Sequence, residues 1–213
     1  MILLTGFEPF GGDTVNPSWA AARSAARLLQ AEGLDVQAVE LPCVFGDSAK
    51  VLVGALERIR PELVLCAGQA GGRARISLER VAINCDDARI PDNAGNQPVD
   101  EAVVQDGPAA YFTSLPVKAA LAALTAEQIP AEVSQSAGTY VCNHVFYALM
   151  HALRRRPGTR GGFVHMPYAD TQLPDGSSTP SLPAHQMAAA LAVVVRTTLA
   201  TTADLKLAAG ATH

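Results

Sequence analysis

Short, unbroken apolar runs that each end in a glycine- or proline-bearing loop set the strongest limit on the fold. Ile2 to Thr5 runs into Gly6-Phe7-Glu8-Pro9-Phe10-Gly11-Gly12, Leu63 to Ala67 into Gly68-Gln69-Ala70-Gly71-Gly72, and Gly162 to His165 into Met166-Pro167. Runs this short without polar alternation read as strands buried on both faces. Stretches of helical character lie between them. Asn16-Pro17 supplies an N-cap and a first-turn proline for a helix over Trp19 to Gln30, which Gly33 ends. Further helices are expected over 47–60, 117–128, 142–155 and 183–202, and further strands over 36–41, 76–84 and 132–136. Strands alternating with helices imply the α/β class, here a three-layer α/β/α sandwich around a twisted, mostly parallel (mixed) central sheet. A chain of 213 residues fits one domain over 1–213, with 203–213 a frayed tail.

In such sheets ligands bind beyond the carboxyl ends of the strands. The loops at 6–16, 68–74, 138–142 and 165–168 are expected on that rim, which brings together a cysteine and a histidine. Cys142 follows Gly138-Thr139-Tyr140-Val141 at an expected helix start, and His165 ends an apolar strand. Unpaired N–H groups and the helix dipole favour a thiolate at such a position, and a histidine within reach makes the pair a nucleophile and a general base. His144 is only two residues from Cys142, and that spacing on a helix points side chains to different faces. A third group should orient the imidazole. Glu79, Asp87, Asp92 and Asp170 all remain open for that role from spacing alone. The long polar stretch from Cys85 to Gln105 has the length of a functional loop.

Composition narrows the partners. The net charge is -4 with no basic stripe, so nucleic acid is not expected. No apolar run approaches the ~20 residues of a membrane span, and Met1 to Gly6 carries no positive leader. The 4 cysteines show neither a CxxC pair nor a small-scaffold spacing, so neither a zinc site nor a disulfide framework is expected, and a cytoplasmic setting follows. Thiol chemistry of this kind needs no metal and no other cofactor, and none is expected.

The order of several segments resembles the pyroglutamyl peptidase I family of cysteine peptidases. These are Leu4 to Gly12 with Asn16-Pro17-Ser18, Gly68 to Arg73, Leu78 to Asn84, Asp87 to Asn93, Gly138 to Asn143, and Val164 to Pro167. The resemblance runs from residue 1 to about 200. It implies a Cys-His-Glu triad of Cys142, His165 and Glu79, and so selects the acid that spacing leaves open. It implies that Phe7, Phe10, Ile90 and Val141 enclose a five-membered lactam, that Asn16 and Gln69 shape or hydrogen-bond that pocket, and that Arg89 lies beside the reaction centre. The substrates it implies are pyroglutamyl peptides, and the assembly a homotetramer. Two positions depart from the family's usual residues: Tyr140 stands where Phe is usual, and Cys43 where Thr is frequent. A nucleoside phosphorylase on a similar sheet and a non-catalytic binder of pyroglutamyl peptides are the alternative readings.

Overall fold

The computed structural model describes residues 1–209. In chain order the elements are β1 (Ile2–Phe7), α1 (Pro17–Ala31), β2 (Val36–Leu41), α2 (Asp47–Ile59), β3 (Leu63–Gln69), β4 (Ile76–Glu79), β5 (Val81–Ile83), β6 (Ala110–Phe112), α3 (Val117–Ala126), β7 (Ala131–Ser134), α4 (Val141–Leu153), β8 (Arg160–Met166), β9 (Tyr168–Ala169), β10 (Ser181–Leu182) and α5 (Ala184–Ala200). A 6-stranded sheet in the order β2-β1-β3-β8-β4-β7 forms the middle layer. α1, α3 and α5 pack on one face and α2 and α4 on the other.

Strand alternation divides the core between the two faces. Leu4, Leu65, Leu78, Val164 and Met166 meet Ala22, Leu124 and Leu191. Leu3, Val64, Cys66 and Phe163 meet Leu52, Leu56, Phe146 and Leu149. β1 and β3 are buried at every position, as the apolar runs require. The expected cap on α1 is present, with Asn16 Oδ1 accepting from Ser18 N at 3.1 Å. Gly6 lets β1 lie against that helix, since a β-carbon there would stand 2.5 Å from the Ser18 backbone.

Two features depart from the sequence reading. The expected strand 76–84 breaks at Arg80, whose N–H donates to Ser134 O and whose carbonyl accepts from Thr113 N. β4 stays in the main sheet, while β5 pairs with β6 in a separate antiparallel ribbon. The side-chain amide of Asn143 then ties β5 to α4, accepting from Ile83 N at 3.0 Å and donating to Ile83 O at 2.9 Å. Secondly, β4 runs antiparallel to β8 and parallel to β7. The segment before Cys142 therefore follows a strand that runs against the other four, and does not leave the carboxyl rim directly.

Of the expected tail 203–213, residues 203–209 are described. They form no helix or strand, and the Asp204 carboxylate accepts from the Lys118 and Ala119 N–H groups at the start of α3.

Candidate active site

Sheet register assembles the site on the α2/α4 face. His165 is the β8 partner of Gly68 on β3 and of Ser77 on β4. Ser77 and Glu79 share a face by alternation, so Glu79 is the diagonal neighbour of His165. Its Oε1 lies 2.8 Å from His165 Nδ1, with Glu79 0% exposed. A surface glutamate is thereby ruled out, and Asp87, Asp92 and Asp170 make no bond to the imidazole. Burial acts to raise the Glu79 pKa, but the hydrogen bond and charge of His165, with Arg73 beside it, outweigh that and hold the carboxyl below its ordinary range. The carboxylate accepts from Nδ1–H, which leaves Nε2 as the basic nitrogen. Among the described residues, Nε2 of His165 makes no hydrogen bond.

Cys142 is the second residue of α4, whose N-cap Tyr140 supplies no side-chain cap. The first-turn N–H groups therefore stay open to an anion. The sulfur lies over Gly68, where a β-carbon would stand 2.7 Å from it. Burial pushes the Cys142 thiol well up, with Cys43 and Glu79 adding to the rise and Arg73 opposing it. Desolvation thus acts against the thiolate bias expected from the helix start.

Cys142 and His165 line one cavity of about 180 Å³. Its other walls include Phe7, Phe10, Asn16, Cys43, Gln69, Arg73 and Tyr140. Phe10 and Tyr140 rings lie 6.0 Å apart, and Phe45 meets Tyr140 edge-on at 5.4 Å. The Tyr140 hydroxyl donates to Pro91 O at 3.1 Å, which is the partner the extra oxygen requires. Asn16 is committed to its own turn, with Nδ2 donating to Glu8 O at 3.0 Å as well as the cap on α1. Gln69 is held by Gln172, whose Nε2 donates to its Oε1 at 3.0 Å. Three residues that the resemblance places at the pocket are not among the residues lining this cavity. Val141 is buried in the core, and Arg89 and Ile90 are exposed on the loop outside the lining.

That loop is pinned down. Asp92 accepts from Phe45 N at 2.9 Å and Asn96 N at 2.8 Å, and Asn93 N donates to Cys43 O at 3.1 Å. His144 belongs to a different arrangement: Nδ1 meets Asp86 Oδ2 at 2.7 Å while Nε2 accepts from Gly46 N at 3.1 Å. Both its nitrogens are committed, so it has no lone pair for a thiol. A larger hollow of about 470 Å³, lined in part by Arg80, Lys118 and Arg160, contains no cysteine or histidine. Sequence reasoning missed the Arg73 contact with Glu79, because the arginine sits in a turn with no periodicity to aim it. Among the described residues, no group of three or more His, Cys, Asp or Glu is placed to hold a metal ion, and no helix is long and apolar enough to cross a membrane.

Known proteins share this architecture. The sequence pattern of the pyroglutamyl peptidase family matches residues 1–201. A pyrrolidone-carboxylate peptidase of Streptomyces coelicolor is 56% identical, covering 100% of this chain and 99% of its own length. One from Clavibacter michiganensis is 54% identical over 98% of this chain and 97% of its own. The crystal structure of pyroglutamyl peptidase I from Bacillus amyloliquefaciens superposes with a TM-score of 0.91 at 46% identity, covering 97% of this chain and 98% of that one. The pyrrolidone carboxyl peptidase of Thermococcus litoralis gives 0.87 at 35% identity, over 97% and 98%. With fold and sequence agreeing along nearly its whole length, the chain belongs to the pyroglutamyl peptidase family and is a hydrolase.

Proposed function

We propose that the protein removes N-terminal pyroglutamate from peptides through a thioester formed on Cys142. The observation that carries this reading is a small, aromatic-walled cavity lined by both a thiol and a histidine whose Nδ1 is held by a buried carboxylate. Pyroglutamate has no charged amine, so a small apolar slot with few polar groups suits its lactam. His165 Nε2 takes the Cys142 proton as the sulfur attacks the carbonyl joining pyroglutamate to the next residue. The first-turn N–H groups of α4 face the oxyanion; losing one such donor typically costs ~3 kcal/mol in the barrier. The C–N bond breaks as His165 returns the proton to the leaving amine. A water molecule, deprotonated by His165, then cleaves the thioester, releasing pyroglutamate and restoring the thiol. Glu79 holds the imidazole tautomer and balances its charge throughout.

A phosphorylase reading would need a phosphate cradle, and the cavity's cation, Arg73, is already paired with Glu79. Free cysteines at all four positions suit a reducing cytoplasm, and we extend the proposal to a cytoplasmic homotetramer, which sedimentation tests. The decisive experiment is release of the chromophore from a pyroglutamyl anilide by the parent and by Cys142→Ala. Turnover by the parent and none by the folded variant is expected; equal turnover defeats the assignment.

A further inference from the structure

Arg73 stands in the turn after β3, where its N–H closes on Ala70 O at 3.3 Å. Its guanidinium makes two bonds across the site. Nη1 donates to Glu79 Oε1 at 2.6 Å, and Nη2 donates to Ser136 O at 3.0 Å. The Glu79 oxygen it uses is the one that accepts from His165 Nδ1. Among the described residues, Glu79 Oε2 has no hydrogen-bond partner. One carboxylate oxygen is thus held between a fixed cation and an imidazole, while the other end of the arginine grips the segment leading into α4. Arg73 is only partly buried, with its side chain 28% exposed.

A fully buried glutamate beside a neutral imidazole would favour its protonated form. Protonated, it would donate to Nδ1 or turn away, and the tautomer that leaves Nε2 basic would be lost. Arg73 prevents this because guanidinium stays charged at any working pH. With neutral Cys142 and neutral His165, the Arg73–Glu79 pair sums to zero charge. After proton transfer, thiolate and imidazolium also sum to zero. Without the arginine the buried site carries one uncompensated negative charge in both states, which is costly.

Resting on the assignment of Cys142, His165 and Glu79 given above, we propose that Arg73 is a charge-setting and positioning residue: it keeps Glu79 ionised beneath His165 whether or not the imidazole is protonated, and fixes the approach to the nucleophile. The titratable groups gathered around the site are Glu79 on β4, His165 on β8, Cys142 and Tyr140 at the start of α4, and Cys43 before α2, with Cys66 on β3 acting on Cys142. Burial acts upward on Glu79 and Cys142 alike, and the arginine's charge acts against it at both. Removing a cation makes every neighbouring group hold its proton more tightly. The sign of the effect therefore does not depend on which group limits the rate at low pH.

The test compares Arg73→Gln and Arg73→Lys with the parent, as full chains. The readouts are the pH dependence of kcat/KM on a pyroglutamyl anilide and the pH dependence of Cys142 alkylation by iodoacetamide. Arg73→Gln should move the acid limb of both profiles upward by about one pH unit or more. Arg73→Lys should keep the limb near the parent's, with lower kcat, because one ammonium does not bridge Glu79 and Ser136 as the fork does. A folded Arg73→Gln whose limb stays in place overturns the proposal, since a purely structural arginine would lower activity without moving it. If Arg73→Gln does not fold, the lysine variant decides: a limb that rises although the charge is kept overturns the proposal, and one that stays supports it. Failure here leaves Cys142→Ala inactive, whereas failure of the underlying assignment shows as an active Cys142→Ala.

Discussion

Gly68 and Cys142 occupy one space: a β-carbon on the glycine would stand 2.7 Å from the cysteine sulfur, and 2.9 Å from Phe163 Cζ. Because Gly68 is the register partner of His165, its missing side chain is what leaves room for the thiol in the cavity that His165 also lines.

Gly68→Ala should therefore displace the sulfur. A misplacement of about 1 Å at a reacting atom can cost ~100-fold in rate, and overpacking here adds about 1–3 kcal/mol of destabilisation. The expected outcome is a large fall in kcat with a lowered Tm. Steady-state kinetics on a pyroglutamyl anilide and thermal unfolding check it, and a parent-like kcat would remove the steric argument.

The two acid-paired histidines should behave oppositely. His165→Ala should cost ~100- to 10,000-fold in rate with the fold retained, the usual range for a lost general base. His144→Ala strands buried Asp86 and the Gly46 N–H, so it should destabilise by about 1–3 kcal/mol. Enough folded His144→Ala should still turn over substrate. Urea unfolding beside kinetics on both variants separates the roles.

Acid should loosen the protein through carboxylates held low. Burial works to raise Asp92, yet the Asn96 side-chain bond and the backbone bonds from Phe45, Asn96 and Ala94 win and lower it; Glu79 is lowered too. A carboxyl with a depressed folded pKa adds stability that is complete above its unfolded value, about 3.9 for Asp and 4.3 for Glu, and is lost as pH falls through the folded value. Stability should fall as pH drops below about 4.3. Asp92→Asn should flatten that decline; an unchanged slope of Tm against pH would show that Asp92 does not contribute.

Tyr140→Phe removes a hydroxyl whose hydrogen bond to Pro91 O is exposed to solvent. The ring contacts with Phe10 and Phe45 remain. The stability change should stay below about 1 kcal/mol, with kcat nearly unchanged. A large loss of kcat would show that the hydroxyl reaches the chemistry.

Much of this was legible in the chain because burial writes itself into local pattern. The unbroken runs at Ile2–Thr5 and Leu63–Ala67 give two-sided strands, and Asn16-Pro17 marks where α1 begins. Cys142 and His165 were visible as residues at element ends. The break at Arg80 was not legible, since Ile76 to Asn84 keeps strand character throughout and only contacts with Ser134 and Thr113 divide it. The reversed direction of β4 was equally hidden, because alternation is the same whichever way a strand runs. The partner of the imidazole depended on that register, so spacing left four carboxylates open. Arg73 reaches Glu79 by a turn geometry that no periodicity encodes.

The antiparallel seam between β4 and β8 has a consequence for the life of the chain before it is complete. Slipping that pairing by one position would turn Glu79 to the opposite side of the sheet from His165. A nascent or partly unfolded chain therefore has an unguided imidazole and no formed slot, and stays inert toward peptides around it. With the proposed triad, hydrolytic power waits on that long-range pairing, so correct assembly is itself the safety catch.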